Sequence, residues 1–128
     1  MSSYRDLQVW RKAMGLVLLV YRHTQRYPRH EQFGLTTQTR RAAVSIPANI
    51  AEGQAQQRPG RFQNSLRIAL GSAAELETHL EIAKALQYLE QEDADALLSS
   101  VDEVGRMIQG PLKSLDRRAG YGRAGAGA

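Results

Sequence analysis

Gln38-Thr-Arg-Arg-Ala-Ala-Val-Ser-Ile-Pro-Ala-Asn-Ile-Ala-Glu-Gly53 is the stretch whose reading decides the fold. Ala42, Ala43, Ile46 and Ile50 recur at three- and four-residue steps, the period of an α-helix with one apolar face. Pro47 stands inside that pattern. It deletes one backbone hydrogen bond and presses its ring on the carbonyl four residues earlier, at a cost of about 3 kcal/mol. A helix tolerates this only when packing holds both halves. The stretch therefore predicts a buried helix, kinked at Pro47, with a polar end at Asn49, Glu52 and Gly53.

The rest of the chain supplies three more helices. Leu7, Trp10, Met14, Val17 and Tyr21 form a seam that predicts a first helix over about Asp6–Tyr27, with Ser3 and Asp6 as its start signal and Pro28 as its stop. Leu16, Leu18, Leu19 and Val20 widen its apolar surface beyond one neighbour, which points to contact with a second copy of the chain. The second helix should begin at Thr36 or Thr37, either of which can cap it. Phe33 is expected to plug the end of the bundle, and Glu31 to hold a helix end or pair with an arginine. Pro59 fits the first turn of the third helix. That helix carries the most regular seam: Phe62, Leu66, Ala69, Ala73, Leu76, Leu80 and Ala83. Gly71 costs about 1 kcal/mol in a helix, which suggests close approach of another backbone. Gly15 and Ala13 give the first helix a matching thin place. A fourth helix begins near Glu92 and runs through Leu97, Leu98, Val101, Val104, Ile108, Leu112 and Leu115 to about Asp116, with a bend or break at Gly110-Pro111.

This pattern is all-α: an antiparallel up-down-up-down four-helix bundle over residues 1–118, with residues 119–128 a disordered Gly/Ala tail. At 128 residues the chain is one domain. It has no cysteine, which excludes disulfides and thiolate metal sites and agrees with a cytoplasmic location. The longest apolar run, Leu16 to Tyr21, is far short of the roughly 20 residues that cross a bilayer, and Met1–Asp6 lacks the apolar core of a secretory signal, so no membrane partner is expected.

Three blocks resemble a known bacterial family. Arg40-Arg41-Ala42-Ala43-Val44-Ser45-Ile46-Pro47-Ala48-Asn49-Ile50-Ala51-Glu52-Gly53 is similar to the signature of the 23S rRNA intervening-sequence proteins, relatives of the accessory protein of diversity-generating retroelements. Leu7–Met14 resembles the first helix of that family and Ile68–Glu77 its third. The likeness covers residues 4 to 116. It implies a four-helix bundle and a barrel of five identical subunits with a central channel. It also marks Trp10, Arg41, Ser45, Pro47, Asn49, Glu52, Gly53, Gly71, Ser72 and Glu75 as signature positions of structural weight. The family has no agreed biochemical activity.

No catalytic constellation is present. His23, His30 and His79 are scattered, and no Glu-x-x-His occurs, so a carboxylate-bridged metal site in the bundle is not expected. Glu75 and His79 share a helix face and read as a surface or interface pair. Ser45 and Ser72 read as small residues at helix contacts. No phosphate-binding glycine loop occurs, and no cofactor is implied.

Charge is the remaining signal. Residues 1–67 hold eleven Lys/Arg against three acids, and residues 68–118 hold five against ten. The asymmetry fits a nucleic-acid surface, or basic helices that pair with acidic ones within or between copies. Arg22, Arg26, Arg29, Arg40 and Arg41 fall at one pole of the bundle and are the candidates for contact with RNA or DNA phosphates. Arg58, Arg61 and Arg67 fall at the other. For Arg40 and Arg41 the alternative is a salt bridge to the acids of the third or fourth helix or to Glu52. Two functions result. One is a non-enzymatic oligomer that binds nucleic acid through its backbone. The other is an interaction scaffold for a protein partner.

Overall fold

The computed structural model describes residues 3–118. A 3₁₀ turn at Tyr4–Asp6 leads into four helices: α1, Gln8–Thr24; α2, Leu35–Gln56; α3, Pro59–Ala85; and α4, Gln91–Arg118. A second 3₁₀ turn, Arg29–Glu31, lies between α1 and α2. The Gly/Ala tail lies outside the described residues.

Contacts join α1 to α2, α2 to α3, α3 to α4 and α4 to α1, while the backbones of α1 and α3 do not come close. Neighbouring helices pair in opposite numerical order. Lys12 meets Glu103 and His23 meets Asp93. Ser45 meets Ser72, and Gly53 lies against Ser65. Lys84 meets Asp95, and Arg67 meets Asp116. The circuit closes around one core. Ile46, Ile50, Leu66, Leu76, Leu80 and Ile108 are fully enclosed, each contributing about 1.5–3 kcal/mol from removal of apolar surface from water.

The decisive stretch is helical throughout. Ala42, Ala43, Ile46, Pro47 and Ile50 are all buried, and α2 runs unbroken across the proline. Burial on both sides of Pro47 is what holds the two halves in one helix. Likewise α4 continues through Pro111. Six of the seven α3 seam residues are buried, and Phe62 is packed against the same core.

Other expectations are corrected. The inward line of α1 is Val9, Ala13, Leu16, Val17, Val20 and Thr24, and Leu7, Trp10 and Met14 lie at its edge. Apolar residues surround this helix, so two lines about 100° apart compete. It ends at Thr24, three residues before Tyr27, and the Thr24 hydroxyl donates back to the Val20 carbonyl at 2.7 Å. Ser3 and Asp6 do form a reciprocal cap, on the 3₁₀ turn and not on α1. Neither Thr36 nor Thr37 caps α2, which starts at Leu35. Phe33 is 89% exposed and plugs nothing. That end is closed instead by Tyr27 and Leu89, both buried. Gly71 has no backbone against it; a Cβ there, or at Gly15, would meet nothing within 4 Å. The reason is topological, since α1 and α3 sit on a diagonal.

Candidate functional site

The segment from the end of α1 to the start of α2 is built by side chains that satisfy helix ends. The last carbonyls of α1 need donors and the first N–H groups of α2 need acceptors. Arg40 supplies the donors. Its Nε bonds Thr24 Oγ1 at 2.8 Å, its Nη2 bonds the Tyr21 carbonyl at 3.3 Å, and its guanidinium lies 4.6 Å over the Tyr21 ring. A cation suits the negative end of the helix dipole. Glu31 supplies an acceptor: its Oε1 takes the Leu35 N–H at 3.1 Å, and its Oε2 takes the Tyr88 hydroxyl at 2.9 Å. These two hydrogen bonds hold the Glu31 carboxyl below its usual range. The same bond raises the Tyr88 phenol. Gly34 packs beside them; a Cβ there would fall 2.9 Å from Glu31 Oε1 and displace that carboxylate.

Tyr27 packs its ring 5.5 Å from that of Tyr88. Burial pushes its phenol up to about 12. Beside Tyr27 lies a cleft of about 290 Å³, lined also by Thr24, Arg29, Gln32, Thr36 and Arg40.

The five candidate arginines thus divide. Arg40 is half-buried and bonded to the end of α1, a use with no local sequence signal because its partners, Tyr21 and Thr24, lie on another helix. Arg22, Arg26, Arg29 and Arg41 are exposed and make no ion pair among the described residues. Among the described residues, none of the alternative salt bridges from Arg40 or Arg41 to α3, α4 or Glu52 forms. The acidic start of α4 reaches the same end, where His23 lies 3.9 Å from Asp93. The basic surface is therefore the α1–α2 flank and not the whole pole. Arg67, by contrast, is bound to Asp116 at 2.6 Å near the opposite pole.

Most signature residues collect between α2 and α3. The Ser45 and Ser72 hydroxyls share a hydrogen bond of 2.9 Å, and Asn49 donates to the Ser45 hydroxyl at 2.9 Å and to its carbonyl at 2.8 Å. Gly53 fits directly on Ser65 and Phe62. A groove of about 450 Å³ beside them is lined by Gln38, Arg41, Ser45, Ser72 and Glu75. Glu75 stands 3.8 Å from His79, whose ring is largely buried. Trp10 lies outside this group, edge-on to Tyr4 at 5.3 Å. Glu52 is exposed, with only a 3.5 Å contact from Gln56. Among the described residues no group of His, Asp or Glu could hold a metal ion, and no helix is long and apolar enough to cross a membrane.

These features define a small all-α protein whose four helices are locked by small and polar residues and whose α1–α2 flank is basic. The chain belongs to the 23S rRNA-intervening sequence protein family, whose model matches residues 5–110. It is similar to a crystal structure of a protein of unknown function from the S23 ribosomal protein family of Bacteroides thetaiotaomicron, at 26% identity and a TM-score of 0.74 over 82% of this chain and 98% of that one. The chain has no match among curated proteins.

Proposed function

We propose that this chain is a non-enzymatic, cytoplasmic homo-oligomer that binds RNA or DNA through the phosphate backbone. The observation that carries the reading is the unpaired state of Arg22, Arg26, Arg29 and Arg41 beside the anchored Arg40. The carboxylate of that segment, Glu31, is hydrogen-bonded by Leu35 and Tyr88 and forms no ion pair with these arginines. Arg29, exposed and without an ion pair among the described residues, lines a cleft beside the anchored Arg40, and its guanidinium is of the kind that takes a phosphate oxygen. The S23 ribosomal protein name of the structural relative favours RNA over DNA. Few aromatic residues face outward, so binding is expected to follow the backbone with little base preference. A ring of copies, five by the family resemblance, would multiply a weak flank into a useful surface.

The test is affinity for a single-stranded RNA and a duplex DNA across 50–200 mM salt. A phosphate surface gives affinity that falls steeply with salt, and Arg26→Gln with Arg29→Gln lowers the slope by roughly one for each arginine that had held a phosphate. Salt-independent binding, or none at 50 mM, would exclude the reading. The second reading, a scaffold for a protein partner, is favoured by the exposed Leu18, Tyr21, Val44, Ile68 and Ile82 on α1–α3 and by Leu86 just past α3. It predicts a stable oligomer with no measurable nucleic-acid affinity.

A further inference from the structure

The cleft beside Tyr27 is built differently from the exposed arginine flank around it. Thr24, Tyr27 and Thr36, which line it, are each more than nine-tenths buried, so it reaches below the surface. Arg29 and Arg40 line it too, and no acid does. The Thr24 hydroxyl is already engaged, since it donates to the Val20 carbonyl and accepts from Arg40 Nε. That of Thr36 is not. Thr36 is only 8% exposed, and its hydroxyl makes no hydrogen bond among the described residues. Unlike the hydroxyl of Thr39, it is not sealed from solvent, so it opens into the cleft that Thr36 lines.

The start of α2 adds backbone donors. The Leu35 N–H goes to Glu31 and the Gln38 N–H to the Gly34 carbonyl. Between them, the N–H groups of Thr36 and Thr37 have no acceptor among the described residues. They stand at the positive end of a 22-residue helix. Arg40 uses Nε and Nη2 on Thr24 and Tyr21, which leaves Nη1 without a partner. The Arg29 guanidinium has no bond at all among the described residues. The one nearby carboxylate, Glu31, does not line the cleft and is held by Leu35 and Tyr88.

This is a surplus of donors and positive charge over acceptors. A carboxylate has two oxygens and a single charge to answer it. A phosphate monoester has three free oxygens and a charge of about −1.5 to −2 at neutral pH. A phosphodiester inside a strand keeps two free oxygens, and the strand leaves it in both directions, which suits the open flank better than a recess of about 290 Å³. A monoester at a strand end has one ester arm and can enter phosphate first.

We propose that this cleft takes the terminal phosphate monoester of a nucleic-acid strand, with Arg29, Thr36 and the first turn of α2 around the phosphate and with Arg22 and Arg26 along the nucleotides that follow. This rests on the nucleic-acid reading above and names the group that the site captures.

The experiment compares one short single-stranded RNA in three forms: with a 5′-phosphate, with a 3′-phosphate and with neither. Affinities are read by fluorescence anisotropy on the full-length wild type and on Thr36→Val, Arg29→Gln and Arg22→Gln, with circular dichroism to confirm that each folds. One phosphorylated form is expected to bind the wild type roughly tenfold more tightly than the bare strand. Thr36→Val keeps the shape and loses the hydroxyl; it and Arg29→Gln should each bring that ratio toward one. Arg22→Gln should weaken all three RNAs together and leave the ratio in place. Inorganic phosphate at constant ionic strength should compete the preference away. Equal affinity for the three RNAs, still steeply dependent on salt, overturns the strand-end site and leaves the backbone reading standing. A preference that both Thr36→Val and Arg29→Gln retain overturns it as well. If inorganic phosphate raises the melting temperature of the wild type alone while the three RNAs bind alike, the cleft takes free phosphate and the proposal fails. If no RNA binds in any form, both readings fall.

Discussion

A Cβ added to Gly53 would lie 2.6 Å from the Cβ of Ser65, closer than two carbons can approach. α2 and α3 meet closely here, and a Cβ has no room. Gly53→Ala is expected to lower stability by about 1–3 kcal/mol through overpacking, although alanine is the better helix former. Gly71→Ala, over open space, is expected to raise stability by up to about 1 kcal/mol. Urea unfolding of the two variants should therefore shift in opposite directions, and a common shift would refute the assignment.

The hydroxyl pair Ser45–Ser72 and the Asn49 amide form one polar cluster between the same helices. Ser72→Ala removes a single hydrogen bond and should cost about 1 kcal/mol. Asn49→Ala removes two and should cost more. A double-mutant cycle on Ser45 and Ser72 is expected to give a coupling of about 0.5–1 kcal/mol. Strict additivity would mean that the two hydroxyls do not interact in solution.

Acid should weaken the fold through Glu31. The N–H of Leu35 and the hydroxyl of Tyr88 hold its carboxyl below the ordinary value of 4.5. A group whose folded value is depressed contributes stability above its unfolded value and loses it as the pH falls through the folded one. Glu31→Gln should flatten the slope of unfolding free energy against pH below about 4.5, and Tyr88→Phe should move that slope toward the ordinary carboxylate range. An unchanged slope in Glu31→Gln would show that other carboxyl groups govern it.

Alkali acts through Tyr27, whose phenol is raised from 10.0 to about 12 by burial. A raised folded value means stability fully present below pH 10 and lost as the pH climbs toward about 12. Among the five tyrosines, ultraviolet difference titration should find Tyr27 ionising last, with Tyr88 also delayed by its bond to Glu31. Tyr27→Phe should remove the last step and leave the delayed ionisation of Tyr88, and an unchanged last step would refute the assignment to Tyr27.

Much of this architecture could be read from residue order. The leucine–alanine seam of α3 admits one inward face, and Leu66, Ala69, Ala73, Leu76, Leu80 and Ala83 occupy it. The stripe through Ala42 and Ile50 likewise outweighed Pro47. On α1 the apolar residues surround the helix, so periodicity alone did not separate Val9, Ala13 and Val20 from Trp10, Met14 and Tyr21. Burial of Phe33 depended on how far the helices reach past it, which no local pattern encodes. The bond from Arg40 to Thr24 joins residues sixteen positions apart and was equally hidden. Charge type marked the arginines as candidates, but only the fold shows which of them are already occupied.

The fit of Gly53 on Ser65 also restricts how the molecule can move. A ratchet of α2 along α3 by one turn, about 5.4 Å, would bring Asn49 or Gln57 to the spot where even a methyl group is refused. The two helices therefore act as a keyed shaft that cannot change gear. Whatever bending the protein undergoes on meeting a partner must leave the register of α2 on α3 unchanged.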